Sequence, residues 1–285
     1  MLELAYVNGI ITPLVEAKIH VADAGFRLGY GVFETMRGYD DRLFRLDRHL
    51  DRLYAGAAFL GVSIDRGEAE AAALRTLTES HLADARVRLT VTSGQAGEST
   101  TVITVEHYRP PAEEEYRLGL AAITSTVRRH TGSPLCRYKT LNQLENSLAR
   151  TEAQRQGVAE AIILNERGDV TETNRANLFT VKGGILKTPG LDSGILPGIT
   201  RSAVLELAAR LGIEVIEGRL SPAELLEADE VFISSSLIEI MPLTVIDGMS
   251  VSDKNIGPVT TRLRRAYRSL VRVETDAGAT PVSLT

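Results

Sequence analysis

Short hydrophobic runs separated by turn residues predict several strands in the first half of the chain. The opening residues predict a hairpin with Asn8-Gly9 as its turn, and 29–37 predict a further strand. Two β-branched runs, 85–94 and 100–108, flank a Gly-rich loop, as in a pair of adjacent strands. These runs favour one sheet built from neighbouring segments of the chain.

Apolar residues at helical spacing alternate with these strands. They predict one helix over 44–62, ending near Gly61, and a second helix over 68–82. Helices that bury one face need a sheet or other helices to cover. The first half therefore indicates an α+β arrangement, with strands in one sheet and helices packed on it.

A polar and irregular stretch separates this half from the second. Residues 110–119 are polar and contain Pro, which predicts a loop, and 127–138 are basic and lack periodicity. We therefore expect a small N-terminal domain over 1–122, an interdomain crossing over 123–135 and a larger C-terminal domain over 136–285.

The second half predicts helices and short strands in alternation. Its predicted helices are 140–157, 199–212, 221–229, where a Ser N-cap precedes a Glu at the third helical position, and 255–272. Its predicted strands are 119–126, 160–169, 170–184, 185–190, 231–237 and 241–248. The tail from 274 to 285 is expected to fray.

Composition and charge narrow the function classes. The chain has 285 residues, more than one core usually holds, and a net charge of −5, which argues against nucleic acid as the main partner. No apolar run approaches the ~20 residues of a membrane span, and the N-terminus lacks the pattern of a signal peptide. The single cysteine, Cys136, fits a reducing compartment. We expect a cytoplasmic protein, and the scattered histidines predict no metal site.

Lysine is rare among the basic residues, which draws attention to each one. Lys and Arg total 32, but only five are Lys: Lys18, Lys139, Lys182, Lys187 and Lys254. Arg stays protonated, whereas the amine of Lys can lose its proton and form an imine. Lys139, in RYKTLN between the crossing and a helix, is a candidate nucleophile. An exposed lysine at a helix start is the alternative interpretation.

Two further features are suited to an anionic or aromatic cofactor. Glu172 follows a β-branched pair and is a candidate carboxylate for a pyridinium nitrogen, or an exposed strand residue. Pro197-Gly198 opens directly into a helix, where backbone N–H groups and the Thr200 hydroxyl form a possible anion site. A plain connection between a loop and a helix is the alternative.

Other polar residues stand in positions that admit a ligand. Arg52 shares a helix face with His49 and is either a phosphate ligand or an exposed ion-pairing residue. Arg88 lies within an apolar strand. Three consecutive hydroxyls, Ser234 to Ser236, end another strand and either hold an anion or cap a turn.

The order of these blocks resembles one known family. GYGVFETMR, HLDRL, YKTLNQLE, ETNRANLF, LPGITR and SSSLIEIMPL occur along the chain in the order found in class IV (fold type IV) enzymes that use pyridoxal 5′-phosphate (PLP). The resemblance extends from about residue 5 to about residue 270. It implies a two-domain α+β fold, with a small N-terminal α/β sandwich and a larger C-terminal domain that has a barrel-like β core and surrounding helices.

The resemblance also implies residue roles. Lys139 would form a Schiff base with PLP and transfer the proton between substrate Cα and cofactor C4′. Glu172 would pair with the pyridine nitrogen, and Leu196 would pack on the ring. The implied ligands of the cofactor phosphate are Arg52, Ile199, Thr200 and Ser236, together with Gly198 and Ser235 beside them. Phe33, Arg88 and Leu237 would line the substrate pocket. Arg27, to which the resemblance assigns no role, is a further candidate for binding a carboxylate near the pocket wall. The cofactor would lie between the two domains, and a homodimer would place each pocket at the subunit interface.

Within this family the blocks point to more than one activity. LPGITR, Arg88 and the ending NIGPVTTRLRRAY are similar to branched-chain aminotransferases. Two features are more similar to aminodeoxychorismate lyases, which release pyruvate: Leu144, where the branched-chain group has Tyr, and the block SLIEIMPL. The D-specific aminotransferases carry an Arg-x-His pair where this chain has SGQAGEST. We favour transfer of an amino group from a small or branched-chain L-amino acid to a 2-keto acid such as 2-oxoglutarate, with the lyase and D-amino-acid activities as alternatives. A non-catalytic PLP carrier is disfavoured by the presence of both Lys139 and Glu172.

Overall fold

Two compact units make up the chain. The computed structural model describes residues 2–251 and 256–275. The tail predicted to fray, 274–285, lies outside the described residues except for 274 and 275, which are helical. The first unit holds the described residues up to Pro110, together with Tyr138–Asn142 and 274–275. The second holds Pro111–Arg137 and Gln143–Val273.

The first unit is an antiparallel sheet with helices packed on it. Its strands are β1 (Leu4–Val7), β2 (Ile10–Pro13), β3 (Gly31–Tyr39), β4 (Arg42–Leu43), β5 (Asp84–Gln95) and β6 (Glu98–His107). Its helices are α1 (Ala24–Leu28), α2 (Leu46–Leu60) and α3 (Arg66–Ser80). The strands are ordered β2-β1-β6-β5-β3-β4. The predicted α+β arrangement of this half is confirmed.

Sequence patterns account for most of this unit. Asn8 and Gly9 both have positive φ, at 44° and 99°, as the two-residue hairpin between β1 and β2 requires. Leu50 and Leu53 on α2 are fully buried, as is Leu89 on the sheet. Apolar residues at helical spacing on α2 therefore meet alternating apolar residues of the strands, and this contact forms the core of the unit.

The second unit is built on a barrel of strands. Its strands are β7 (Leu120–Arg129), β8 (Glu160–Asn165), β9 (Val170–Thr173), β10 (Asn177–Lys182), β11 (Ile185–Pro189), β12 (Val215–Gly218), β13 (Glu230–Ser235), β14 (Glu239–Ile246) and β15 (Met249–Ser250). Its helices are α4 (Glu113–Leu118), α5 (Leu144–Arg155), α6 (Ile199–Arg210), α7 (Pro222–Leu226) and α8 (Pro258–Thr275).

Strand pairing closes this sheet on itself. β9 pairs with β8 on one side and with β10 on the other, so β10, β13, β14, β7, β8 and β9 form a closed six-stranded barrel. Closure removes exposed strand edges, and β8 and β9 are buried along their whole length. The predicted barrel-like core of the C-terminal half is confirmed.

Two predicted loops are regular structure. Residues 110–119, expected to be a loop, contain α4, whose first turn is stabilised by the Glu115 carboxylate accepting from the Ala112 N–H at 2.8 Å and whose Tyr116 is fully buried. Much of the expected crossing, 123–135, belongs to β7, which continues to Arg129 and pairs with β8. The basic residues at the end of β7 show no hydrophobic periodicity, so the extended conformation of this stretch depends on its pairing with β8.

Candidate active site

Lys139 lies in the first unit, on a short segment that extends the sheet beside β3. Its carbonyl oxygen accepts from the N–H of Phe33 at 2.9 Å, and the N–H of Leu141 donates to the carbonyl of Gly31 at 2.9 Å. The side chain is half-buried. Lys139 is not at a helix start, because α5 begins only at Leu144. A sheet strand rather than a helix therefore fixes the backbone of the candidate nucleophile.

Two cationic groups lie against the ring of Phe33. Lys139 Nζ lies 4.7 Å from the ring centroid, and Arg88 Cζ lies 3.7 Å from it. Burial lowers the pKa of Arg88 from its usual value, and the neighbouring Arg86 adds to this effect. In the part of the chain that the structure describes, no carboxylate forms an ion pair with Arg88. A half-buried guanidinium is suited to a ligand that carries a carboxylate.

Arg52 belongs to a buried polar network at the same sheet. Its Nε and Nη2 donate to the two carboxylate oxygens of Glu34, both at 2.7 Å, and His49 Nδ1 lies 2.7 Å from the same carboxylate. Burial alone would raise the pKa of Glu34, but the charge of Arg52 and the hydrogen bond from His49 outweigh it and lower the pKa to about 2. Burial lowers the pKa of His49, so the ring is neutral and donates to Glu34. Glu34 thereby holds the Arg52 guanidinium in one orientation.

Arg27 is placed differently from the other predicted cations. It lies in the last turn of α1 with an exposed side chain. Among the described residues it forms no ion pair. Among the described residues no hydrogen bond or ring contact joins Arg27 to Phe33, Arg88 or Lys139, and its role in binding a carboxylate stays a prediction.

Glu172 is a buried carboxylate of the second unit. Its side chain on β9 accepts from the amide of Asn177 at 3.1 Å and from the backbone N–H of Leu196 at 3.1 Å. Arg129 Nη2 lies 3.5 Å from the other carboxylate oxygen and donates to Asn146 Oδ1 at 2.7 Å. These donors fix the direction of the carboxylate.

Asn177 joins Glu172 to the start of α6. Its amide also donates to the carbonyl of Leu196 at 2.9 Å. A Cβ on Gly198 would lie only 1.9 Å from Asn177 Oδ1, so glycine is required for this packing. Gly198 is the N-cap of α6 and supplies no side chain to the helix start. The N–H groups of Ile199 and Thr200 thus open a helix whose first turn is suited to an anion.

The predicted hydroxyl cluster lies at the turn between β13 and β14. Ser235 ends β13, and Ser236 and Leu237 form the turn with half-buried side chains. Ser234 is paired in register with Asn177 across β10 and β13. The structure therefore brings this turn to the same part of the second unit as Asn177 and Glu172.

Sequence reasoning missed the residues that orient the candidate ligands. Glu34, Asn177 and Arg129 were not predicted as ligands, but each contacts a residue that was. A signal was present for the first two, because a charged residue in the apolar strand VFETM and an amide at the start of a buried strand both need partners. Arg129 gave no such signal, since it stood in a stretch expected to be irregular.

Metal binding and membrane insertion find no support in the described residues. Within 2–251 and 256–275, no group of three or more His, Cys, Asp or Glu side chains could hold a metal ion. No helix in the same ranges is long and apolar enough to cross a bilayer.

Relatives of known name cover nearly the whole chain. A sequence model of the class IV aminotransferases matches residues 31–246. The chain is 38% identical to a putative branched-chain-amino-acid aminotransferase of Methanocaldococcus jannaschii over 277 residues, which is 93% of this chain and 95% of that one. It is 35% identical to a D-alanine aminotransferase of Listeria monocytogenes, over 92% and 93% of the two chains.

Solved structures share the fold at full length. The branched-chain aminotransferase of Escherichia coli matches with a TM-score of 0.90 and 32% identity over 100% of both chains. The branched-chain aminotransferase of T.th., complexed with N-(5′-phosphopyridoxyl)-L-glutamate, matches with a TM-score of 0.88 and 29% identity over 96% of this chain and 95% of that one. The chain therefore belongs to the class IV aminotransferases, fold type IV enzymes that use pyridoxal 5′-phosphate.

Proposed function

We propose that this aminotransferase takes the amino group from a small or branched-chain L-amino acid and passes it to a 2-keto acid such as 2-oxoglutarate. One observation carries the proposal: Arg88 lies 3.7 Å from the centroid of the Phe33 ring, and Lys139 Nζ lies 4.7 Å from the same centroid. The cation can hold a substrate carboxylate while the ring contacts an apolar side chain. The names of the M. jannaschii and E. coli relatives favour branched-chain donors.

The residues present fit PLP by their chemistry. PLP offers an aldehyde to an amine, a ring nitrogen to a carboxylate and a phosphate to N–H donors. The chain provides the half-buried amine of Lys139, the carboxylate of Glu172 held by two donors, and the α6 start, which has no side-chain cap. Arg52 would add charge at the phosphate, and its direction is set by Glu34.

Individual roles follow from these placements. When bound, PLP supplies a ring that accepts the electron pair of the substrate Cα–H bond. Lys139 would bind the cofactor covalently and would then move a proton at Cα, as its position on the sheet beside Phe33 allows. Glu172 would pair with the ring nitrogen, and Leu196 would pack on the ring. The proposed phosphate ligands are Arg52, Gly198, Ile199, Thr200, Ser235 and Ser236, and the proposed substrate contacts are Phe33, Arg88, Leu237 and Arg27.

The stereochemistry of the donor separates this proposal from a second candidate. D-alanine aminotransferases of Listeria are 35% identical over nearly the whole chain, which favours a D-amino acid as the alternative donor. Against it stands SGQAGEST, the segment between β5 and β6 that lacks the Arg-x-His pair. An elimination that releases pyruvate from aminodeoxychorismate is the third possible outcome.

A panel of amino donors tests the proposal. Purified protein loaded with PLP is mixed separately with L-leucine, L-valine, L-alanine and D-alanine, and the absorbance of the bound cofactor is followed. We expect a rapid change with L-leucine or L-valine and its reversal by 2-oxoglutarate. Lys139→Ala should slow the change by roughly 10²–10⁴-fold, whereas Lys182→Ala, at an exposed lysine, should match the wild type. A response to D-alanine alone, or pyruvate release from aminodeoxychorismate alone, would overturn the L-specific assignment.

We further propose that the enzyme is a homodimer with its pocket at the subunit interface. An exposed apolar surface, called here the 15–28 surface, supports this proposal. Val15 is 92% exposed, Val21 74%, Phe26 68% and Leu28 69%. Large apolar side chains exposed at four positions of one short segment are costly to leave in water and are typical of contact surfaces.

The cytoplasm is the compartment we propose. Cys136 is the single cysteine of the chain and is not in a disulfide, which suits a reducing environment. Detection of the enzyme in a membrane or secreted fraction would contradict this assignment.

A further inference from the structure

Glu239 has an unusual backbone conformation beside the predicted serine ligands. Its φ is 55°, in the left-handed region that side chains other than Gly, Asn and Asp rarely adopt. Ser235 pairs with Glu239 across β13 and β14, which leaves a three-residue turn between them. Such a turn commonly ends on a residue with positive φ, and glycine takes that place at least cost. A glutamate here needs a compensating interaction.

The compensating interaction is an ion pair to the last helix. The Glu239 side chain is only 6% exposed, and its Oε2 accepts from Arg268 Nε of α8 at 2.9 Å. Arg268 also donates to Glu113 of α4. Burial alone would lower the pKa of Arg268, but the hydrogen bonds to the two carboxylates outweigh it and raise the pKa above its usual value. The guanidinium thus bridges two carboxylates from different elements.

A second contact holds the neighbouring residue of the turn. The hydroxyl of Tyr116, fully buried on α4, donates to the carbonyl of Ile238 at 3.3 Å. Arg268 Cζ lies 4.9 Å from the centroid of the Tyr116 ring. Helix α4 therefore contacts the backbone carbonyl of Ile238, and helix α8 contacts the side chain of Glu239.

We propose that Glu239 is a positioning residue: its ion pair with Arg268, together with the hydrogen bond from Tyr116 to Ile238, fixes the turn that carries Ser235, Ser236 and Leu237. The inference rests on the proposed function, in which the serines meet the cofactor phosphate and Leu237 meets the substrate. A turn anchored at its last residue cannot shift along β13, so its hydroxyls keep their direction. A glycine at position 239 would relieve the backbone strain, but it would have no carboxylate to pair with Arg268.

Arg264 supplies a matched control on the same helix. It donates to Glu113 at 2.6 Å, and its Cζ lies 4.1 Å from the centroid of the Tyr116 ring. It has no hydrogen bond to Glu239 in the described part of the chain. Arg264→Met therefore removes the same kind of contacts as Arg268→Met, except the one to Glu239.

The test compares binding of PLP with binding of pyridoxal, which lacks the phosphate, in the full-length protein. We expect Glu239→Gly and Arg268→Met to lower the preference for PLP over pyridoxal by about tenfold, the range of one charge-assisted hydrogen bond. Glu239→Gln, which keeps an acceptor, should restore part of it. Arg264→Met should keep the wild-type preference. Because Leu237 is the proposed substrate contact of this turn, the KM for the amino donor should rise in Glu239→Gly and Arg268→Met.

Thermal unfolding distinguishes positioning from folding. Because a glycine at this position relieves the left-handed strain, Glu239→Gly should melt near the wild-type temperature while its preference for PLP falls. A folded Glu239→Gly protein with unchanged preference and KM would overturn the inference. If Glu239→Gly does not fold, the inference is overturned by an Arg268→Met protein that prefers PLP over pyridoxal as strongly as the Arg264→Met protein does. Wild-type protein that binds no PLP would refute the proposed function, which is a separate result.

Discussion

Glu34 illustrates how one buried carboxylate organises its surroundings. It is fully buried on β3 and shared by Arg52 and His49. Removing one member of such a group leaves another charge or polar group without compensation, which costs far more than loss of an exposed pair. The network is therefore both a stabilising element of the first unit and the support of a proposed phosphate ligand.

Acid should weaken the protein through this carboxyl group. The pKa of Glu34 is lowered from 4.5 to about 2 in the folded state, so its contribution is complete above pH 4.5 and is lost as the pH falls towards 2. The shift corresponds to roughly 3 kcal/mol of unfolding free energy. We expect Glu34→Gln to be less stable at pH 7 and to lose less stability than the wild type between pH 4.5 and pH 2.

Urea unfolding at several pH values measures this difference. Glu79→Gln, at an exposed glutamate of α3, serves as the control and should keep the wild-type pH dependence. Parallel curves for Glu34→Gln and the wild type across this pH range would show that Glu34 is not the group responsible.

At the scale of elements, the start of α6 depends on a glycine. At position 198, glycine is the only residue type that leaves room for the Asn177 side chain, because an added Cβ would lie 1.9 Å from Asn177 Oδ1. Asn177 in turn holds Glu172 and the carbonyl of Leu196. The packing of a strand against a helix start thus sets the direction of the carboxylate.

Gly198→Ala should therefore weaken cofactor binding while the fold persists. We expect PLP affinity to fall by about tenfold, since Asn177 must move and one hydrogen bond to a charged group is lost. Fluorescence titration with PLP provides the measurement. Gly218→Ala, at a position where a Cβ meets nothing within 4 Å, should bind like the wild type. Equal affinity of the two variants would contradict the proposed support of Glu172.

For the whole molecule, the 15–28 surface predicts self-association. Replacing Val15 and Val21 by Asp should convert dimers to monomers, because two charges would be buried in an apolar contact. Sedimentation velocity at several concentrations gives the mass. Met249→Asp, at an exposed apolar residue of the second unit, is the control and should remain dimeric. A wild-type protein that sediments as a monomer at all concentrations would refute the proposed dimer.

Local pattern was enough to predict most individual elements. The hairpin at Asn8-Gly9, helix α2 and helix α6 were predicted because turn chemistry and apolar spacing act within a few residues. Helix α4 and the end of β7 were not, since α4 depends on burial of Tyr116 and β7 on its pairing with β8. The sequence alone was informative wherever neighbours along the chain were the cause.

Recognition of the family depended on the order of six sequence blocks, and so did the choice of Lys139 among five lysines. The sequence determined the α+β class, the cofactor type and the identity of the candidate nucleophile. Only the tertiary structure placed Lys139 beside β3, set Lys139 and Arg88 against the ring of Phe33, joined Glu172 to Asn177, and anchored the serine turn through Glu239. These contacts join residues that local patterns treat separately, and their free energy depends on distance and burial, which no local pattern encodes.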